Sequence, residues 1–401
     1  MRLFFVIICT FIFSEISFAQ KQRDSLKSVW SNTKLQDSSR FKAISQLIPD
    51  YYLFSKTDSA LVLGYEMLQL AQNKNNSTFQ AKAHSLIGNI YFELEDNNKA
   101  TESYKKGLEL ALAIKDSMLY AKELYHLGDA YLDYSDYTNA YKVLKKSALV
   151  SKKIGDSVTE GWSLDHLGMV HRALGNFDEA EKYHLEHLKL STDYGIKYSI
   201  SGAHGNLGGF YRLKGDIPKS LFHWKEGIRL ANEIGDPIYG SKGIYNLISI
   251  YIDEEDYDNA SKYLIEYISI IGHIDHPDYK SNISLFKCQI DYGLGNYTKA
   301  NLECNDCLSI YKANNWKLDK SILKSLYEVN KKLNRHHIAL NYFEKYQVLL
   351  NDEKEDKART EIQNIIFNNQ LATDSIAQVQ EKELLNAKFQ KELNKKTPRR
   401  I

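Results

Sequence analysis

Proline is scarce in this chain, with five in 401 residues. A proline inside a helix removes a hydrogen bond and clashes with the preceding turn, so its scarcity suits a mostly helical protein. Charge of one sign is lacking too: 52 basic residues stand against 51 acidic ones, a net charge of +1. That balance gives no electrostatic case for nucleic acid, which needs clustered Lys and Arg against phosphate. Beyond the first twenty residues no stretch reaches about 18 apolar residues, so no further membrane span is expected. The sequence has no P-loop, no His-Glu-x-x-His, no Gly-x-Ser-x-Gly elbow and no complete calcium loop. Its acids are abundant but sit in no distinctive motif. No enzymatic activity, no cofactor and no metal site is expected.

What stands at the N-terminus is an export pattern. Arg2 precedes an unbroken run from Leu3 to Phe13, apolar except for Thr10, and Ser17-Phe18-Ala19 follows. Small residues three before and one before a cut mark signal-peptidase cleavage, here after Ala19. The run is shorter than the ~20 residues of a comfortable span. The expected location is the periplasm or the exterior, the alternative being an uncleaved N-terminal anchor. A lipoprotein reading of Cys9 fails, because Val6-Ile7-Ile8 lacks small residues and Cys9 lies inside the apolar run. The mature chain keeps Cys288, Cys304 and Cys307. An odd, small number implies no disulfide framework. Two readings stay open for them: small buried hydrophobes, or one disulfide in an oxidising compartment.

The dominant feature is a repeat of 40 residues, in register, about eight times. Leu47, Ile87, Leu127, Leu167, Leu207 and Leu247 share one phase. Ala60, Ala100, Ala140, Ala180, Ser220 and Ala260 share another, continued by Ala300 and Leu340. Gly88, Gly128, Gly168 and Gly208 share a third, and Tyr51, Tyr91, Tyr131, Tyr211 and Tyr251 a fourth. A fixed period of this length means stacked units, each burying its apolar face only against its neighbours. In residues 116–155, Asp116-Ser117 opens one helix, Ser135-Asp136 breaks it, and Ile154-Gly155-Asp156 ends a second. Each unit therefore reads helix A, tight turn, helix B, short loop. Glycine inside a helix costs about 1 kcal/mol against alanine. The glycine phase is thus expected to admit helix B closely, with the Ala phase facing it.

Leu127-Gly128-x-x-Tyr131 with Ala140, Leu144 and Ser147 resembles the tetratricopeptide repeat. So does Leu207-Gly208-x-x-Tyr211 with Ser220, Trp224 and Gly227. The 40-residue period resembles the longer-helix subclass of kinesin light chains and bacterial peptide-sensing regulators. The resemblance implies an all-α fold, a right-handed superhelical solenoid of helix-turn-helix units, over residues 40–350. A signal peptide (1–19) and an N-terminal segment (20–39) would precede it, and a charged helix (351–401) with a basic end would follow. That helix supports two readings: a coiled coil pairing two copies into a homodimer, or a solvated cap.

The resemblance also implies a concave wall built from the A helices. Its candidate residues for gripping a peptide or protein partner are Tyr125, His126, Asp129, Trp162, Asp165, His166, Arg172, Asn206, Arg212, Lys242, Tyr245 and Asn246. Asparagine amides donate and accept toward a peptide backbone at once. Asn206 and Asn246 stand where the resembled peptide binders carry asparagine, whereas His126 and His166 depart from that pattern. His184 and His187 occupy core phases and read as buried. Gly202, Gly205, Gly208 and Gly209 lie within a helix A, which argues for packing rather than a phosphate cradle. Two functions are expected from this layout. One is an exported scaffold that holds a peptide or protein segment. The other is the sensory region of a truncated membrane receptor, whose membrane span would begin where this chain stops.

Overall fold

The computed structural model describes residues 21–51 and 57–396; the signal-peptide segment lies outside the described residues. Among the described residues there are only α-helices, with no strand. They are α1 (21–31), α2 (Asp37–Tyr51), α3 (Thr57–Asn73), α4 (Ser77–Glu93), α5 (Asn97–Ala113), α6 (Ser117–Asp133), α7 (Tyr137–Ile154) and α8 (Ser157–Ala173). There follow α9 (Phe177–Asp193), α10 (Lys197–Lys214), α11 (Ile217–Ile234), α12 (Pro237–Asp253), α13 (Tyr257–Ile271), α14 (Pro277–Gly293), α15 (Tyr297–Ala313), α16 (Lys320–Lys332) and α17 (His336–Lys396). The fold is a solenoid of stacked helix-turn-helix units, as the period predicts.

The turns explain the stacking. A left-handed residue recurs at 20-residue intervals, among them Glu95, Lys115, Ser135, Gly155, Gly175, Gly195, Gly215, Gly235 and Glu255. The residue after it bonds back into the finished helix: Asp96 N reaches Tyr91 O at 2.9 Å and Asp136 N reaches Tyr131 O at 2.8 Å. The same residue opens the next helix. Asp96, Asp116, Asp136, Asp216 and Asp256 each accept the backbone N–H three residues on, at 3.0–3.2 Å. One two-residue signal thus stops one helix and caps the next.

The chain divides within α8 into two compact units, 1–167 and 168–401. In the first, α3 to α7 each pack on the helix before, and α4 also touches the A helices α2 and α6. Its core at the N-terminal end gathers Phe41, Ile44, Ile48, Met67, Ile87 and Ile90. In the second, α12, α14 and α16 form the corresponding ladder of A helices. Ile244, Leu247, Ile248, Leu264 and Ile271 fill one core there.

Three findings refine the sequence reading. The glycine phase faces the large residue one turn beyond the Ala phase: a Cβ on Gly128 would lie 2.5 Å from Leu144 Cγ, and one on Gly208 2.7 Å from Trp224 Cδ2. The small residue therefore seats a bulky one rather than another small one. The cysteines split between the two readings. Cys288 of α14 and Cys304 of α15 form a disulfide with Cα atoms 5.2 Å apart, while Cys307 remains a buried thiol. Burial, and then Asp319, push that thiol up to about 12. Lastly, α17 runs unbroken from the final repeat into the charged segment, so position 351 falls inside a helix.

Candidate functional site

In the first unit the structure brings Tyr125, His126, Asp129, Trp162 and His166 into one cluster on α6 and α8. The ring of Tyr125 stands 5.5 Å from Trp162 and edge-on to His166 at 4.9 Å. His166 Nδ1 is 3.0 Å from the Trp162 carbonyl oxygen, and Nε2 is 3.1 Å from Asp129 Oδ1. Both of these partners only accept, which favours the protonated imidazole; the Tyr125 hydroxyl lies 3.4 Å from the same Nε2. Burial opposes that charge. The hydrogen bond that His166 gives to Asp129, the charge of Asp129 and that of Asp165 outweigh the burial and hold His166 above the usual histidine range. His126 behaves oppositely: it stacks on Tyr104 at 5.5 Å, and burial pushes it down to about 4. Asp165 is only 4% exposed, so it faces the core more than a groove.

In the second unit Arg172, Asn206, Arg212, Lys242, Tyr245 and Asn246 lie on α8, α10 and α12. Two cavities open here side by side, sharing Tyr239, Lys242 and Asn246. The first, about 290 Å³, is walled by Ser201, Asn206, Trp224 and Ile228 and by five glycines. The second, about 560 Å³, adds Tyr245, Tyr267, Tyr279 and Asn282. Asn246 Nδ2 donates to the Lys242 carbonyl at 2.8 Å, and its Oδ1 can only accept. Among the described residues Lys242 forms no ion pair. Arg212 is engaged instead with Asp253 at 2.6 Å.

The glycines shape the first cavity. α10 lies against the indole of Trp224 because Gly208 has no side chain. Cβ atoms on Gly205 and Gly209 would meet the same ring at 3.5 and 3.7 Å. Gly202 makes room for the Tyr239 hydroxyl, 2.9 Å from where its Cβ would be. Sequence reasoning missed Trp224, Tyr239, Tyr267, Tyr279 and Asn282. Asn282 shares the repeat phase of Lys242, so running the same phase one unit further finds it. Trp224 sits on a helix B, outside the A-helix stripe. His184 and His187 are buried in α9, as their phases predict.

Residues 118–193 and 81–113 each match the tetratricopeptide repeat. No curated protein matches the chain. Several solved structures share the fold. A Rap protein complexed with Competence and Sporulation Factor superposes with a TM-score of 0.57 at 12% identity, over 86% of this chain and 99% of that one. The Rap conjugation gene regulator of the plasmid pLS20, in complex with the Phr* peptide, gives 0.54 at 15% identity, over 86% and 97%. A STAND protein with a tetratricopeptide repeat sensor from Pyrococcus horikoshii gives 0.52 at 21%, over 75% of this chain and 45% of that one. At these identities the likeness is one of fold. The chain carries tetratricopeptide repeats in a stacked-hairpin solenoid. Among the described residues no helix is long and apolar enough to cross a membrane.

Proposed function

We propose that this protein is an exported interaction scaffold of the 40-residue repeat subclass, which holds a peptide or protein segment along its A helices. The observation that carries the reading is the pair of adjoining cavities around Tyr239, Lys242 and Asn246. Together they offer aromatic walls, an ammonium group and side-chain amides, a set suited to the side chains and backbone of an extended segment. Asn206, Tyr245, Lys242 and Asn246 make up this groove. Tyr125, His126, Asp129, Trp162 and His166 form a second contact area, with Asp165 behind it and Arg172 and Arg212 as flanking cations. The Rap structures support the reading because two of them are complexes with a peptide or with a factor. Export is supported by the N-terminal pattern and by the disulfide of Cys288 with Cys304, a bond suited to an oxidising compartment.

The test is the double variant Asn206→Ala/Asn246→Ala. It should capture less partner from an envelope extract while its melting temperature stays within a degree or two of the parent. Unchanged capture would refute the groove. A second reading, the sensory region of a membrane receptor, draws on the long helix α17, whose Ile362, Ile365 and Ile366 are 58–62% exposed. Such a stripe would pair two copies in a coiled coil. Light scattering that finds only a monomer refutes the pairing. Genomic sequence beyond the last codon that holds no apolar run and no output domain refutes the receptor.

A further inference from the structure

Two histidines of the second unit meet outside the groove. His204 of α10 and His223 of α11 stand with their Nδ1 atoms 2.9 Å apart and their ring centroids 5.0 Å apart. Neither ring lines the two cavities. The repeat does not ask for the pair. At the phase of His204 other units hold Leu124, Leu164 and Ile244, and at the phase of His223 they hold Val143, Tyr183 and Tyr263.

Two nitrogens at this distance hold one proton between them, so one imidazole donates and the other accepts. Both rings are neutral at pH 7. Burial, then His204 and Lys219, push His223 down to about 4. Burial keeps His204 below the usual histidine range against the opposite pull of Glu226, and Arg229 adds to the lowering. Aromatic rings surround the pair. Tyr211 stacks on His223 at 5.3 Å, and Phe222 stands edge-on to His223 at 5.1 Å and to His204 at 6.2 Å. His223 is 8% exposed, His204 is half-buried, and Phe222 is 57% exposed, which leaves the pair close to the surface.

The donor set selects the ion. Among the described residues no group of three or more His, Cys, Asp or Glu side chains is placed to hold a metal, so two nitrogens stand here without a third protein ligand. Structural zinc takes four ligands, and calcium and magnesium take oxygen. Imidazole suits copper, and Cu(I) is satisfied by two nitrogens in line. The charges nearby favour a monovalent ion too. Lys219 lies over the ring of Tyr211 at 4.8 Å, and Glu226 is paired with Arg229 at 3.0 Å. Metal–nitrogen bonds of about 2 Å would part the two Nδ1 atoms to about 4 Å, a swing of about 1 Å for the half-buried His204 ring.

We propose that His204 and His223 form a two-coordinate site for a soft monovalent cation, Cu(I), bound between their Nδ1 atoms. The ion takes the place of the bridging proton. That proton moves to Nε2 of its own ring, so both imidazoles stay neutral and no proton is released. The site does not rest on the groove reading.

The test is competition for Cu(I) between the full chain and a chromophoric Cu(I) chelator, without oxygen and with ascorbate as reductant, which leaves the disulfide intact. The parent should take up one equivalent. His204→Leu and His223→Tyr insert the residues that other units carry, so melting temperatures should show both folded. Each turns a chelate into a single donor and should weaken uptake by about a hundredfold or more. Cys307→Ser, which removes the free thiol, and Asn206→Ala/Asn246→Ala should both bind as the parent does. In the parent, one equivalent of Ag(I), an air-stable analogue, should shift the proton NMR signals of both imidazoles together, and Zn(II) should not. The proposal is overturned if the parent takes up no copper, if either histidine variant binds undiminished, if Cys307→Ser abolishes uptake, or if Ag(I) leaves the two imidazole signals in place.

Discussion

Asn176, at the start of α9, and Asn364, in the middle of α17, exchange side-chain amide hydrogen bonds at 3.3 and 3.4 Å across 188 residues of sequence. At this repeat phase Asp96, Asp136, Asp216 and Asp256 cap their own helices, whereas the asparagines Asn176 and Asn296 make no side-chain cap bond. One turn along α17, Phe367 is 1% exposed and meets His171 edge-on at 5.7 Å. One face of the long helix is therefore held against the repeats of the second unit, while Ile362, Ile365 and Ile366 point outward.

Phe367→Ala should release that hold. Truncating a buried Phe costs about 3–5 kcal/mol. The loss should appear as faster amide exchange in residues 355–371, with the α9 amides still protected. Asn176→Asp should separate two roles: it restores a cap to α9, worth about 1 kcal/mol, and removes one half of the amide pair. Exchange in α17 should quicken while α9 slows. Unchanged exchange in α17 for both variants would show that the contact contributes nothing to docking.

His166 sets a pH limit on the first unit. Its folded pKa is raised, so its stabilising contribution is complete below the unfolded value of about 6.5 and is lost as pH rises through the folded value. Melting temperature should therefore fall on the alkaline side of neutrality. Each tenfold gain in proton affinity on folding makes that loss about 1.4 kcal/mol larger. Asp129→Asn removes the largest opposition to burial and leaves only Asp165 and the Trp162 carbonyl. A proton NMR titration should then find His166 below its ordinary pKa, with the alkaline loss gone. A His166 signal that titrates identically in both proteins would dissociate it from Asp129.

Much of this molecule was legible in the sequence because its determinants are local. Ser135-Asp136 and Gly155-Asp156 encode a helix stop and a helix cap in adjacent residues, and the structure uses both as read. The partner of Gly128 was not legible. A period shows which residues are equivalent, not which of them touch, and Leu144 rather than Ala140 fills the space because its side chain leans back along helix B. The docking of Phe367 was hidden for a related reason, since α17 leaves the repeat and its contacts follow no period. Asp165 shows a limit of phase arguments: it shares a phase with Tyr125 and Tyr245 yet is nearly buried.

Two glycines of α10, three residues apart, should respond oppositely to the same substitution. A Cβ on Gly205 would sit 3.5 Å from Trp224 Cζ3, an ordinary contact, whereas one on Gly208 would sit 2.7 Å from Cδ2 of the same ring. Alanine in a helix interior gains about 1 kcal/mol over glycine. Gly205→Ala should therefore raise the melting temperature. Gly208→Ala should lower it, because overpacking of about 1–3 kcal/mol exceeds the gain. Equal shifts from the two variants would mean that α10 moves freely relative to Trp224.

Glu123 offers the sharpest pH test. It occupies a phase held by Ala83, Ser163, Ala203 and Gly243 in other repeats, and it fits only because Gly107 opposes it. At the next junction the equivalent pair is Ser147 and Ser163, hydroxyls 2.9 Å apart, which satisfy each other. The Glu123 carboxyl is fully buried, with the Ser85 hydroxyl as its polar neighbour. Its pKa is raised to about 8, so the folded state retains a proton that the unfolded chain releases near its ordinary value of 4.5. Stability must then fall as pH rises through that interval and level off above the folded value. Between about pH 6 and pH 9 the fall should be on the order of 2–3 kcal/mol. Glu123→Gln keeps the shape and removes the titration. Urea melts of the variant should lose this component of the slope, while the alkaline loss due to His166 remains. If the variant keeps the full wild-type slope, Glu123 is ionised in the fold and some unseen cation must accompany it.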